Sequence, residues 1–275
     1  MVAAVGGLIL VMLHRCNASP VFYFMKDFAL LNNFFDHIYV ITLHRATERQ
    51  AAIKTNLAGL NYQFFFGADK QQHPIEEMIQ QGVYDEALAI KNHRYHKPFS
   101  AGQTCCAWSH KLVYEDVLNN GYKKVLILED DVTAVSNNQD LLPAIIQELP
   151  ANWELLYFDY SKNEKPQPIK QYWYHLQKML GGLTWSHASI ANLYPKKISE
   201  HLASAGYHDY TSAYAITAAA AEKLLQLQTP IAYLADNLLA TACTTNLVNG
   251  FISRPKLFTQ LSQGDDKLTH SFVDD

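Results

Sequence analysis

Val125-Leu126-Ile127-Leu128-Glu129-Asp130-Asp131-Val132 runs four apolar residues straight into three consecutive carboxylates near the middle of the chain. An unbroken apolar run of this length reads as a strand buried on both faces of a sheet. The carboxyl ends of parallel strands are where open α/β sheets hold their ligands. Three adjacent acids repel one another unless protons or a cation relieve them. Hard divalent ions take oxygen ligands, so Mg²⁺ or Mn²⁺ bridging to a phosphate suits this strand end.

Upstream, His37-Ile38-Tyr39-Val40-Ile41-Thr42-Leu43 is β-branched and aromatic and reads as a first strand. A helix follows, with Thr47 as its expected N-cap, running to about Leu57 and stopping at Gly59. Tyr62 to Phe66 is a second strand, closed by Gly67-Ala68-Asp69. Strand, helix and strand in so short a stretch make one right-handed βαβ unit, which sets the class as α/β. Arg45 and Arg49 fall beside the end of the first strand, where a phosphate or ribose would lie; each taken alone is equally a surface arginine on a first helical turn.

Residues 70–98 read as polar and irregular, with His73, His93 and His96 solvated. Ser100-x-x-Gln103 has the form of a capping box. The helix it opens carries Cys105, Trp108, Leu112, Val113 and Val117 at core spacing and ends at Asn119-Asn120-Gly121 in the manner of a left-handed cap. Ser109 and His110 lie on this helix, but neighbours there point about 100° apart and cannot act as nucleophile and base. His110 reads as packing.

Downstream of the acidic strand the pattern predicts a helix over 139–148 and a strand over 153–159. Residues 160–171, rich in lysine and proline, read as a loop placed to be a lid over the site. A strand over 212–216 leads to a helix over 218–227 capped by Thr217 and stopped by Pro230. Asp236 comes next, then short strands over 247–258. With no repeat and no linker, residues 36–262 form one domain around a mixed, mostly parallel sheet flanked by helices. Residues 1–35 precede it as a loosely attached extension or peripheral anchor, and 263–275 follow as an acidic tail. The apolar run from Val2 to Leu13 is too short to span a bilayer, which takes roughly 20 residues.

The 275 residues are 49 % hydrophobic and 17 % charged, an ordinary globular balance. A formal charge of −4 argues against a nucleic-acid partner, which leaves a basic footprint. The 13 Phe and 16 Tyr are core for the most part, although sugar and base faces also pack on such rings. Cys16, Cys105, Cys106 and Cys243 show no metal-ligand spacing and no disulfide-scaffold density, which makes the cytoplasm the default compartment.

Two chemistries use acids at such a strand end. In phosphohydrolases of the haloacid dehalogenase type, an Asp at the strand end attacks phosphorus. Glu129 stands in that position, and its extra methylene displaces the attacking oxygen by more than about an ångström. Transfer from a nucleotide sugar asks for an acid-x-acid pair holding a divalent ion on the diphosphate, and Glu129-Asp130-Asp131 fits that demand. If strand geometry persists, residues 129 and 131 face one side and 130 the other.

Four stretches occur in one order: Ile41-Thr42-Leu43-His44-Arg45 with Glu48-Arg49; Gly102-Gln103-Thr104-Cys105-Cys106-Ala107-Trp108-Ser109-His110; Leu126 to Val132; and Ala213-Tyr214-Ala215-Ile216 with Ala220-Ala221 and Leu224-Leu225. Together, over roughly residues 36–260, they resemble glycosyltransferase family 25, the lipooligosaccharide galactosyltransferases of bacterial envelopes and their collagen-modifying relatives. The resemblance implies a GT-A fold, a UDP-sugar donor (galactose or glucose), Mn²⁺ or Mg²⁺, inversion at the anomeric carbon, and a saccharide or glycolipid acceptor such as a lipopolysaccharide core. It also implies action in the cytoplasm at the inner face of a membrane, by peripheral association. On this resemblance the donor meets Thr42, Leu43, Arg45, Arg49, Asp69, Ser109, Glu129 and Asp130, with the metal on Glu129 and Asp131. Asp236 is then the expected base and Asp209 the other candidate, while His208 or His270 could complete the metal shell. Cys105-Cys106 departs from the usual Gly-Cys, which alters a close helix contact. A metal-dependent phosphohydrolase, or a non-catalytic protein that binds nucleotide or carbohydrate, is the alternative.

Overall fold

The fold is described from a computed structural model, for residues 28–261. The strands are β1 (His37–Thr42), β2 (Gln63–Phe66), β3 (Lys124–Glu129), β4 (Val132–Ala134), β5 (Leu155–Tyr157), β6 (Lys196–Lys197), β7 (Leu202–Ser204), β8 (Ala213–Thr217), β9 (Gly250–Ser253) and β10 (Phe258–Gln260). The helices are α1 (Ala29–Phe34), α2 (Thr47–Asn56), α3 (Ile75–Gln80), α4 (Glu86–Asn92), α5 (Ala101–Asn119), α6 (Leu142–Glu148), α7 (Pro168–Met179), α8 (His187–Ala191), α9 (Ala218–Leu227) and α10 (Ala235–Thr244).

Eight strands form one sheet in the order β2-β1-β3-β8-β5-β9-β7-β6. The pairings run β8 and β7 against the other six, so the sheet is mixed and mostly parallel, as expected for a GT-A type α/β fold. β4 and β10 make a separate antiparallel ribbon.

The apolar run 125–128 lies in β3, an interior strand of this sheet between β1 and β8. Val125, Leu126, Ile127 and Leu128 are all fully buried. Because side chains alternate along a strand, Leu126 and Leu128 join one core with Ile38, Val40 and Ile53 of α2, while Val125 and Ile127 join the opposite core with Val113 of α5 and Leu224 of α9. Each such residue contributes about 1.5–3 kcal/mol by leaving water. Helices on both faces are what an apolar run without alternation requires.

Local signals are realised closely at several points. Ser100 accepts from the Gln103 backbone N–H at 3.2 Å, and the Ser100 N–H donates to the Gln103 side chain at 2.9 Å, completing the capping box. α5 ends in a Schellman turn. Tyr122 N–H donates to Val117 O, Gly121 N–H donates to Leu118 O, and Gly121 sits at φ +70°. Thr217 caps α9 by accepting from Ala220 N–H.

Other expectations shift. Thr47 is the first residue of α2, whose N-cap is Ala46 with no side-chain bond. The irregular stretch 70–98 contains α3 and α4, too short for a clear period. The extension ends earlier than residue 35, since α1 is helical and Phe28, Leu31 and Phe35 are buried in the core. Residues 1–27, the tail 263–275 and His270 lie outside the described residues. The expected lid turns into α7 from Pro168 onward, and no residue of 160–171 lines the main cavity.

Candidate active site

Parallel register brings the ends of β1 and β3 level, with Ile41 paired to Glu129. Thr42, one residue on, therefore meets Asp130, and its hydroxyl donates to Asp130 Oδ2 at 2.6 Å. Arg49, on the first turns of α2, donates from Nη1 to Asp130 Oδ1 at 2.7 Å. β3 stops at Glu129 and the chain turns at Asp130, so the strand alternation that would set 129 and 131 on one face and 130 on the other does not extend that far. Asp130 is buried among these partners. Burial raises its pKa against the opposing pull of Thr42 and Arg49. Both of its oxygens are engaged in bracing the strand ends.

Asp69 follows β2 and takes a two-pronged bond from Arg45, Nε to Oδ2 at 2.7 Å and Nη2 to Oδ1 at 3.3 Å. Burial works to raise its pKa, but the Arg45 bonds and charge, with the Gln71 backbone N–H, hold it below the ordinary carboxylate value. Ser109 reaches the same corner from α5. Its hydroxyl donates to Cys105 O at 2.7 Å and accepts from Ala68 N–H at 3.0 Å. Ser109 thus anchors the turn after β2. The approach is close enough that a Cβ on Gly67 would lie 2.3 Å from Ser109 Oγ.

Because β8 runs antiparallel to β3, the residues just before it arrive at the carboxyl end of β3. Thr211 donates to Glu129 Oε1 at 2.5 Å, and His110 Nε2 stands 3.4 Å from the same oxygen. His110 is buried, with Nδ1 2.8 Å from the Tyr214 hydroxyl, which is itself 3.0 Å from that of Tyr114. Burial acts to raise the Glu129 pKa, but His110 and Thr211 outweigh it and keep the carboxylate ionised to lower pH. The sequence pattern marks His110 as packing and shows no metal spacing among the cysteines. In the fold, Cys106 Sγ, a ring nitrogen of His110 and a Glu129 oxygen lie within 4.8 Å of one another. The 106/110 spacing, one helical turn, was the signal available for that pair.

A cavity of about 300 Å³ opens at this carboxyl edge of the sheet. Thr42, Leu43, Arg45, Arg49, Asp69, Ser109, Glu129, Asp130, Asp131 and Asp236 all line it. Gly102 and Gln103 bring the N-terminal turn of α5 to its wall, the positive end of a 19-residue helix, and Lys70 stands nearby. Asp236, in the first turn of α10, closes the far side. Burial, then the nearby Asp209 charge, raises its pKa to about 7, with Glu129 adding to the effect.

Asp209 does not line this cavity; it pairs with Lys162 and forms a backbone bridge with Ser161. His208 is buried with both ring nitrogens engaged. It accepts from Gly206 N–H at Nε2 and donates from Nδ1 to Lys162 O, which removes it as a metal ligand. Cys105 packs with Ala68, Met78, Tyr84 and Phe99, so the position usually held by glycine is filled by a small core side chain.

The donor set answers what kind of group fits. Glu129 and Asp131 offer this cavity the carboxylate oxygens that Mg²⁺ or Mn²⁺ takes, while the three side chains whose ligand atoms converge among the described residues are Cys106, His110 and Glu129. The α5 N-terminal turn, Arg45, Arg49 and Lys70 line the same cavity, positive groups suited to a diphosphate.

The family model described as "Glycosyltransferase family 25 (LPS biosynthesis protein)" matches residues 35–239. A protein named glycosyltransferase 25 family member from Anopheles gambiae is 26 % identical over 197 residues, covering 70 % of this chain and 29 % of its own length. A human protein named inactive glycosyltransferase 25 family member 3 is 29 % identical over 208 residues, with 70 % and 29 % covered. The chain spans less than a third of the length of the curated relatives it matches. Among solved structures, apo mouse xyloside xylosyltransferase 1 aligns with a TM-score of 0.33 at 11 % identity, covering 77 % of this chain and 62 % of that one. The match of the family model across most of the chain, over the segment that builds the sheet ends and the cavity, places this protein in glycosyltransferase family 25.

Proposed function

We propose that the chain transfers a hexose, galactose or glucose, from a UDP-sugar to a saccharide or glycolipid acceptor such as a lipopolysaccharide core, with inversion. The observation that carries the reading is the cavity itself. Glu129 and Asp131 line it at the end of β3, and Asp236, with its pKa raised to about 7, lines it from α10. A group titrating near neutrality is well matched to take a proton from an acceptor hydroxyl, because it is both substantially ionised and basic enough at working pH.

In this scheme Asp236 accepts the acceptor proton at a carboxylate oxygen. Asp236 is preferred to Asp209 because Asp209 is paired with Lys162 and is not among the residues that line the cavity. The α5 N-terminus, Arg45, Arg49 and Lys70 favour the negative diphosphate. Thr42 and Asp130 hold the two strand ends in register, and Thr211 with His110 fixes Glu129. Mn²⁺ or Mg²⁺, held by Asp131 and Glu129, would stabilise the charge that builds on the leaving diphosphate.

The names of a human relative, "inactive glycosyltransferase 25 family member 3", and a bovine one, "probable inactive glycosyltransferase 25 family member 3", favour a second reading in which the cavity binds a nucleotide or sugar without turnover. Incubation of the protein with a panel of UDP-hexoses and Mn²⁺ separates the two. Release of UDP from one hexose, accelerated by a saccharide acceptor, is expected; binding of UDP with no turnover of any donor would favour the second reading. Phosphate release from an aryl phosphate would instead revive a phosphohydrolase.

A further inference from the structure

We propose that α7 is a docking helix for an anionic lipid surface. Helices of globular proteins turn their apolar stripe inward, and α7 does the reverse. At about 100° per residue, Ile169, Tyr172, Trp173, Leu176 and Met179, with Leu180 at the C-cap, fall within an arc of about 120°. Five of these six are exposed, Ile169, Met179 and Leu180 by more than three quarters, and no residue of α7 is buried.

The helix is attached by its other face, which is polar. Gln171 donates from Nε2 to Ile190 O at 2.6 Å, and Lys178 Nζ donates to Thr184 O. Tyr174 packs edge-on against Trp185, with the Arg94 guanidinium over both rings. The exposed apolar arc is therefore not a frayed helix awaiting its core. The fold holds it outward.

Charge selects the occupant. From Lys165 to Ser199 the sequence contains no Asp or Glu and five lysines, at 165, 170, 178, 196 and 197, in a chain whose formal charge is −4. Lys170 lies beside the apolar arc on α7 itself and Lys165 precedes the helix, whereas Lys178 lies on the attached face. An apolar stripe with interfacial Trp and Tyr, bordered by lysines, fits the boundary between lipid headgroups and acyl chains, where such helices lie in the membrane plane. No helix among the described residues is long and apolar enough to cross a bilayer, so contact by this helix would be peripheral. The segment leading to α7 leaves the carboxyl end of β5, the sheet edge that carries the cavity. The inference rests on the helix and its charge and stands apart from the transferase reading.

Sedimentation of the full chain with phosphatidylcholine vesicles, with and without phosphatidylglycerol, tests it. Binding to the anionic vesicles is expected and should weaken as salt is raised. I169S/W173S/L180S should lower it at least about tenfold, and K165Q/K170Q about tenfold or more, with far-ultraviolet circular dichroism and UDP binding unchanged. Absence of wild-type binding to anionic vesicles, or equal binding by the serine variant, would overturn the inference. So would a dimer in light scattering that the serine substitutions dissolve while the wild type ignores vesicles, because the arc would then serve protein contact.

Discussion

Thr42 and Asp130, 88 residues apart in sequence, share a buried 2.6 Å hydrogen bond that ties the end of β1 to the turn after β3. Arg49 completes the tie from α2. Asp130→Ala would leave the Arg49 charge and the Thr42 hydroxyl without this carboxylate, at a cost of about 2–4 kcal/mol. Thr42→Val should cost about 1–2 kcal/mol, and the double variant less than the sum of the two, because both remove one interaction. Urea denaturation of the four proteins checks this; strict additivity would show that the bond carries no coupling.

Gly67 is required by the close approach of α5 to the turn after β2. A methyl group there would sit 2.3 Å from Ser109 Oγ and 2.7 Å from Ser109 Cβ. Ser109 sits on a helix and bonds both Cys105 O and Ala68 N–H, so it cannot withdraw cheaply. Gly67→Ala is expected to destabilise by about 1–3 kcal/mol and to weaken donor binding by displacing Asp69 and its Arg45 partner. Thermal unfolding and UDP titration of the variant read the two effects separately.

Asp236 links stability and activity in opposite senses. Its carboxyl titrates at about 7 when folded, against about 3.9 unfolded. The folded state holds the extra proton between those values, so this group's contribution to stability falls as pH rises from about 4 to about 7. Asp236→Asn, uncharged throughout, should match the wild type near pH 4 and exceed it by about 1–3 kcal/mol near pH 8. Wild-type transfer should rise with pH through about 7 and level off, and the Asn variant should lose transfer by at least about 10²-fold. Denaturation and rate profiles over this range test both signs.

Much of this was legible where the signal is local. The β3 run announced a strand buried on both faces, Ser100-x-x-Gln103 a capping box, and Asn120-Gly121 a helix end, because each depends on neighbours a few residues away. The meeting of Arg45, Arg49 and the acids of 129–131 at one edge was also legible, since strand ends in an α/β sheet converge, whereas Asp69, Ser109 and Asp236 were placed there by the family resemblance alone. Roles within that edge were not. The inward turn of Asp130 depends on β3 stopping at Glu129, and Ser109's engagement depends on a β2 turn 41 residues away. Thr211 enters only because β8 is antiparallel, and Glu129 meets His110 only across the sheet and α5. The pattern of α7 has the helical period, yet which side of such a helix meets the protein is decided by Ile190, Thr184 and Trp185, far along the chain.

The central claim, that the acidic end of β3 holds a divalent cation on a nucleotide diphosphate, is tested most directly by calorimetric titration of the protein with UDP in the presence and absence of Mn²⁺, with Asp131→Ala measured alongside. The account predicts UDP binding strengthened at least about tenfold by Mn²⁺ in the wild type, and no such strengthening in a variant whose circular dichroism is unchanged. Equal Mn²⁺-dependent binding by Asp131→Ala, or no UDP binding by the wild type under either condition, would contradict it.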